Sequence, residues 1–269
     1  MPVSTTTMGL RDGLGSYRHL DRLGHGPLSP LQHFLARFAP ADVYYRHDDF
    51  DMKTLNVTDF WTANGGTGAT AFATPGTLAD GGTAEGATGT NGTEANRAAN
   101  LYGPRVFSGD KNCGMDIRLK ISAITSIEFG VGFIDTHDTI TTPLILSPDV
   151  DTPSFASGMG DAALVYIDTA ETLATLAMIT LGSGALNTGA KDAIGTVTPT
   201  AATYLRIVIQ CATNTVTAWV KEGNGPRTMV SRTSAMEGGT LVRPMITISG
   251  VSATSRTYTI DYWDLWQER

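Results

Sequence analysis

The chain has 269 residues and a mass of 28.4 kDa, ample for a full hydrophobic core, and carries a formal net charge of -7. That charge is uneven. Residues 1–41 hold four Arg against two Asp, which leaves 15 basic and 24 acidic groups on the rest, so the acidic body is a poor match for nucleic acid. No window approaches the length of an apolar membrane span. Charged residues make up only 17% while Gly reaches 30, and with Thr spread throughout this composition points to one β-rich domain with many turns.

Residues 1–41 show no strand alternation and are punctuated by Gly9, Gly13, Gly15, Gly24, Gly26, Pro27, Pro30 and Pro40, which reads as an arm rather than a domain. Ser29 caps a short helix near residues 30–38, with Pro30 at its first position. Leu31, Phe34, Leu35 and Phe38 then fall at i, i+3, i+4 and i+7 and form one apolar stripe. A helix this short is not stable alone in water, so the stripe needs a surface, either its own body or a partner. Arg11, Arg18, Arg22 and Arg37 make the arm mildly basic. The opening residues lack the continuous apolar run of an export signal, so the expectation is a soluble chain made in a cytoplasm.

The body, residues 42–269, opens on the aromatic and acidic run from Val43 to Asp51. Leu55 to Ala63 reads as a strand carrying Phe60 and Trp61. From residue 64 to 96 the chain is mainly Gly, Thr and Ala, and Thr70 to Thr74 is the one credible strand in what reads as a long surface excursion with short strand pieces. Met115 to Ile121 then alternates cleanly, with Met115, Ile117, Leu119 and Ile121 inward. In the next strand Ile127, Phe129, Val131 and Phe133 share a face, and Gly130 and Gly132 on the other would admit a neighbouring backbone. Strands follow near Ala162 to Asp168 and Leu173 to Leu181, and residues 182–195 read as a turn region. Tyr204 to Cys211 and Thr215 to Glu222 form a hairpin about Ala212, Thr213 and Asn214.

The final run, Thr257 to Gln267, is aromatic and β-branched without Gly or Pro and reads as a core strand. Ile260 and Tyr262 are apolar on one face and Trp263 and Leu265 on the other. Either both faces are covered or a bulge shifts the phase near Trp263. Its natural partner is the Val43 to Asp51 run, and pairing the two closes an antiparallel two-sheet β-sandwich.

Chemistry finds little purchase in this pattern. Glycoside hydrolysis needs two facing carboxylates, whereas the Met115 to Ile121 strand offers Asp116 followed by Arg118 and Lys120. Asp48, Asp49 and Asp51, joined by Asp261 or Asp264 if first and last strands pair, could offer oxygens to calcium. A strand, however, sends alternate side chains to opposite faces, and acids on a wet face account for the same pattern. The five His residues, His19, His25, His33, His47 and His137, stand at no ligand spacing. Cys113 and Cys211 read as reduced, packed thiols rather than a metal site or a disulfide. No nucleophile elbow or phosphate loop is present, and no cofactor is expected. Trp61, Trp219, Trp263 and Trp266 could make a sugar platform, with core the expectation for at least three.

The DDFD run near the start of the body, GMDIRLKI followed by EFGVGFID, the hairpin TYLRIVIQC–TVTAWVKE and the last strand IDYWDLWQ resemble the concanavalin A-like, laminin G-like jelly rolls over roughly residues 43–267. That resemblance implies an all-β jelly-roll sandwich, a fold that hosts lectins, carbohydrate-binding modules and glycoside hydrolases. In style, a Gly/Thr-rich body behind a Gly- and Pro-punctuated arm also resembles tailed-bacteriophage virion proteins of the capsid decoration or cement type. This second resemblance implies a non-enzymatic structural protein on the capsid exterior. The major capsid protein would be its partner, held through the arm residues named above. It further implies a homo-oligomer, a trimer suiting threefold positions of the shell. The alternative is a carbohydrate-binding module on a tail or fibre.

Overall fold

In the computed structural model the described residues are 43–50, 55, 60–74, 82–90, 97–136, 159–169, 176–182, 190–195, 199–233, 236 and 239–268. The arm over residues 1–41, with its helix near 30–38 and its eight candidate contact residues, lies outside them. The strands fall into two antiparallel sheets. The first, sheet A, runs in the order β14 (Arg227–Thr233), β13 (Thr215–Glu222), β12 (Tyr204–Ala212), β7 (Gly114–Ile121), β16 (Thr257–Glu268), β4 (Ala84–Ala87) and β3 (Thr70–Ala73), with β1 (Val43–Asp48) also on β16. The second, sheet B, runs β11 (Ala190–Ala193), β10 (Ala177–Leu181), β9 (Ala162–Asp168), β8 (Ile127–Ile134), β15 (Leu241–Gly250), β5 (Ala99–Tyr102) and β2 (Thr62–Gly65), with β6 (Phe107–Ser108) on β15. This is the expected two-sheet jelly-roll sandwich.

The first and last described strands pair as expected. β1 runs antiparallel to the second half of β16, with His47 opposite Asp264 and Tyr45 opposite Trp266. The first half of β16 takes β4 on the same edge instead. On its other edge β16 lies against β7, and the register shifts between Ile260 and Tyr262, which makes Asp261 the extra residue of a β-bulge. Both readings offered for this strand hold together. The bulge turns Tyr258, Ile260, Trp263 and Leu265 into the core, while Tyr262, Asp264 and Trp266 on the opposite face are buried as well.

The core lies between the sheets. Met115, Ile117, Leu119 and Ile121 of β7 face it from sheet A, and Ile127, Phe129, Val131 and Phe133 of β8 face it from sheet B. Trp61, one residue ahead of β2 rather than inside a strand, stacks on Trp263 with ring centroids 4.7 Å apart. Sheet B is also covered on its far face, where Ile134, Leu164, Tyr166, Ile179 and Met245 form a second buried cluster. At Gly132 a Cβ would stand 1.9 Å from the Ala163 carbonyl oxygen, so no side chain fits where β9 approaches.

Three segments differ from the sequence reading. In the Gly/Thr-rich stretch, where the sequence offers one credible strand, the described residues form β2, β3 and β4, which extend both sheets, and Ala84 is fully buried. Small residues there let short strands pack closely without large side chains. Residues 190–193, read as part of a turn, form edge strand β11, which β10 pairs and which Asp192 ties to Arg232 on β14 of the other sheet. Leu55 to Ala63 is not a single strand, because Phe60 lies in a turn and β2 starts only at Thr62. Pro244 sits inside the central strand β15. Gly103 N donates to Pro244 O at 2.9 Å, so the side of Pro244 that lacks an N–H faces the gap between β6 and β5, where no ladder bond is required.

Candidate functional site

The face of sheet A turned away from the core carries a buried network of acids, arginine, tyrosines and histidine. Alternation along each strand puts Asp116, Arg118 and Lys120 of β7, Tyr204, Arg206 and Val208 of β12, and Thr217, Trp219 and Lys221 of β13 on this face. The register brings them into rows. Met229, Trp219, Val208, Asp116, Asp264 and His47 stand side by side across six strands. The neighbouring row runs Arg227, Lys221, Arg206, Arg118 and Tyr262.

One half of the face is a closed network. Asp116 is fully buried and receives Arg206 through Nε at 3.0 and 3.1 Å and Nη2 at 2.5 Å, with the Tyr262 hydroxyl donating at 3.2 Å. Asp264, directly opposite Asp116 and equally buried, accepts the Tyr45 hydroxyl at 2.5 Å and meets His47 Nδ1 at 2.8 Å. At Gly114 a Cβ would come within 2.3 Å of the Trp266 ring, so the ring packs against the strand there only because no side chain is present.

Charge and burial set the protonation of this network. Burial lowers the Arg206 pKa, but the charge of Asp116 and its hydrogen bonds outweigh that and hold the guanidinium ionised. Burial, the charge of Asp264 and its hydrogen bond push the Tyr45 phenol far above its usual range. Burial chiefly, then the charge of Asp116, does the same to Tyr262. For His47 burial lowers the pKa, yet the Asp264 hydrogen bond and the charges of Asp264, Asp49 and Asp48 raise it above its ordinary 6.5.

The other half of the face is open. Met229 is 59% exposed and Trp219 beside it is half-buried, whereas Trp61, Trp263 and Trp266 are fully buried. Of the four Trp residues named from sequence as a sugar platform, Trp61 and Trp263 are therefore core, Trp266 is buried on the outer face, and Trp219 alone reaches solvent. Around it stand Lys221, half-buried, and Arg227, exposed, with Thr217 and Ser231 sharing a hydrogen bond at 2.9 Å. Farther along, the Arg118 guanidinium lies 3.9 Å over the Tyr204 ring and Lys120 Nζ is 5.1 Å from it.

The acids near the start of the body have structural partners. Asp48 accepts Trp61 Nε1 at 2.6 Å and the Phe50 amide at 3.0 Å, and Arg46 approaches at 3.6 Å. Asp261 takes Arg118 Nη1 at 2.7 Å. Asp51 lies outside the described residues, and among those described no group of three or more His, Cys, Asp or Glu is placed to hold a metal ion. Sequence reasoning singled out Asp116 and Asp264 but missed that they face each other, and it missed Arg206, Tyr45 and His47 as their partners. The alternation that places Arg206 outward was legible, while its neighbour across the sheet depends on register.

No family model and no curated protein matches this chain. Solved structures resemble it in fold. Peanut lectin bound to a nine-residue peptide aligns with TM-score 0.51 at 12% identity, covering 83% of this chain and 97% of the lectin. An immunostimulatory antigen and pseudo β-1,3-glucanase of Mycobacterium tuberculosis aligns with TM-score 0.54 at 10% identity over 83% of this chain and 98% of that one. The carbohydrate recognition domain of Emp47p aligns with TM-score 0.51 at 13% identity, covering 86% and 99%. The body therefore has the legume-lectin type of concanavalin-like jelly roll.

Replacing Arg206 by Met leaves the Asp116 carboxylate buried without its cation, and the expected cost is about 3–5 kcal/mol, read from urea denaturation midpoints. Arg206→Lys should recover only part of this, because an ammonium cannot span both carboxylate oxygens. His47 supplies a pH dependence. Its folded pKa is raised, so its proton is bound more tightly in the native state, and this stabilisation is fully present below 6.5 and lost as pH rises through the folded value. Wild-type stability should fall across that window relative to His47→Gln, in which the decline is absent.

Proposed function

We propose that the chain is a non-enzymatic carbohydrate-binding module whose glycan lies on the open half of the outer face of sheet A. The observation that carries this reading is Trp219, the one Trp that reaches solvent, set directly opposite exposed Met229 on the next strand. An aromatic ring presents an apolar face to the C–H side of a sugar, and Thr217, Ser231 and Lys221 stand beside it to meet hydroxyl groups. Lysine and arginine along the next row favour glycans bearing acidic groups. Lectins and a carbohydrate recognition domain among the similar folds support the reading, although a fold hosts many functions and the site must carry the argument.

The buried acids support the absence of hydrolysis. Asp116 and Asp264 are the facing carboxylates that the sequence did not reveal, yet both are fully buried and engaged by Arg206, Tyr262, Tyr45 and His47. A glycosidic oxygen has no route to either, whereas a general acid must come within hydrogen-bond reach of it.

All four Trp residues emit, but the three buried ones are shielded from a surface ligand, so a glycan on this face changes the emission of Trp219. Acidic and neutral polysaccharides titrated into the full chain should quench its emission saturably. Trp219→Ala should remove the quenching and weaken binding by about 2 kcal/mol or more, roughly thirtyfold. Absence of binding to every glycan tested sinks the reading.

A second reading, capsid decoration, keeps one observation in its favour: the amphipathic stripe and four Arg of the arm, which suit an extended segment that orders on a partner surface. It predicts copy numbers comparable to the major shell protein by quantitative mass spectrometry of particles. Occupancy should be reduced by Phe34→Ala with Phe38→Ala. A few copies per particle would instead fit a glycan-binding module on a tail or fibre.

A further inference from the structure

The sequence points to Cys113 and Cys211 as reduced, packed thiols rather than a disulfide; both are free and buried, and the fold sets them side by side. The ladder between β7 and β12 pairs Gly114 with Gln210, so the next residues out, Cys113 and Cys211, stand opposite each other. The Cys211 amide donates to the Cys113 carbonyl at 2.8 Å, which extends the ladder through this pair. The amide bond makes this a hydrogen-bonded pair, whose Cα atoms stand about 5.5 Å apart with side chains on the same face, inside the range a disulfide spans. Both side chains are fully buried in the main core, and both thiols are free.

We propose that Cys113 and Cys211 form a cross-strand disulfide between β7 and β12 when the chain meets an oxidising environment. The oxidant is a small-molecule disulfide such as oxidised glutathione. One cysteine thiolate, its proton passed to solvent, attacks a glutathione sulfur and expels glutathione thiolate. The second cysteine, also deprotonated, attacks the protein sulfur of the mixed disulfide and expels the other glutathione. Two protons and two electrons leave the protein, and one disulfide becomes two thiols.

The surroundings govern the rate. Burial chiefly, then the hydrogen bond with Cys211, raises the Cys113 pKa, so little thiolate is present in the closed structure and exchange waits on opening. Cys113 follows the 3-10 turn Gly109–Lys111 and Asn112, whose φ is 47, where the chain enters the sheet from its end. The bond would close a loop of about 100 residues, the long-loop regime in which a cross-link constrains the unfolded chain most. It would also tie together the two strands that carry Asp116 and Arg206 on the opposite face. A chain folded among reducing thiols and working outside the cell would thus gain a covalent staple after release.

The test uses the full chain, unfolded and refolded in oxidised glutathione, with a parallel sample in excess reductant. Alkylation under denaturing conditions followed by intact mass should give no adduct in the oxidised sample and two in the reduced one, both monomeric. The urea midpoint of the oxidised chain should exceed that of the reduced chain. Cys113→Ala and Cys211→Ala should each abolish that difference. Two alkylatable thiols after oxidation, two glutathione adducts, or covalent dimers in place of a closed monomer would each overturn the proposal. Because thiol counting is done on unfolded chains, a variant that folds poorly leaves the wild-type result decisive.

Discussion

The β-bulge at Asp261 is the constraint on which the arrangement of sheet A depends. A strand alternates its side chains strictly, and β16 needs Tyr258 and Ile260 in the core at one end and Trp263 and Leu265 in the core at the other. Those two sets are out of phase. One extra residue reconciles them, and it moves Asp264 from the apolar interior to the outer face, where Tyr45 and His47 of β1 meet it. Without the shift the same sequence would drive a carboxylate between two sheets of aliphatic and aromatic side chains, at a cost no single pairing offsets.

The network that results acts on specificity of register as much as on stability. A buried ion pair gains little over well-packed apolar groups of the same size, but losing one partner is costly. Asp116 with Arg206 therefore penalises any slip of β7 against β12, and Asp264 with His47 and Tyr45 penalises any slip of β1 against β16. Slips of one residue are the characteristic error of sheets, because they exchange the two faces. Polar pairs at the centre of sheet A guard against that error where the apolar pattern of β16, broken by its bulge, specifies register least.

This division leaves the outer face with two characters. Around β16, β7 and β1 it is closed by its own side chains, and toward β13 and β14 it is open, aromatic and cationic. The Trp263–Trp61 stack lies on the core side of the same sheet, so the buried Trp residues serve packing and Trp219 is free to serve contact. On a chain of net charge -7, a row holding Lys221 and Arg227 is a local reversal of sign, and such reversals attract anionic groups more than the whole molecule does.

Local rules were enough to read much of this protein from its sequence. The alternation in Met115 to Ile121 and Ile127 to Phe133, the hairpin of β12 and β13, and the pairing of first and last strands follow from side-chain periodicity and turn chemistry, which act between near neighbours. So did the demand for either a bulge or double coverage in β16. Strand β4 and edge strand β11 escaped, since Ala84–Ala87 and Ala190–Ala193 have weak intrinsic preference and become strands only because neighbours offer ladder bonds. The facing of Asp116 with Asp264, the grip of Arg206 and the meeting of Cys113 with Cys211 were likewise set only by the tertiary structure. Each joins residues far apart in the chain, and a shift of one position in register, which composition and periodicity cannot fix across a bulge, would have separated them.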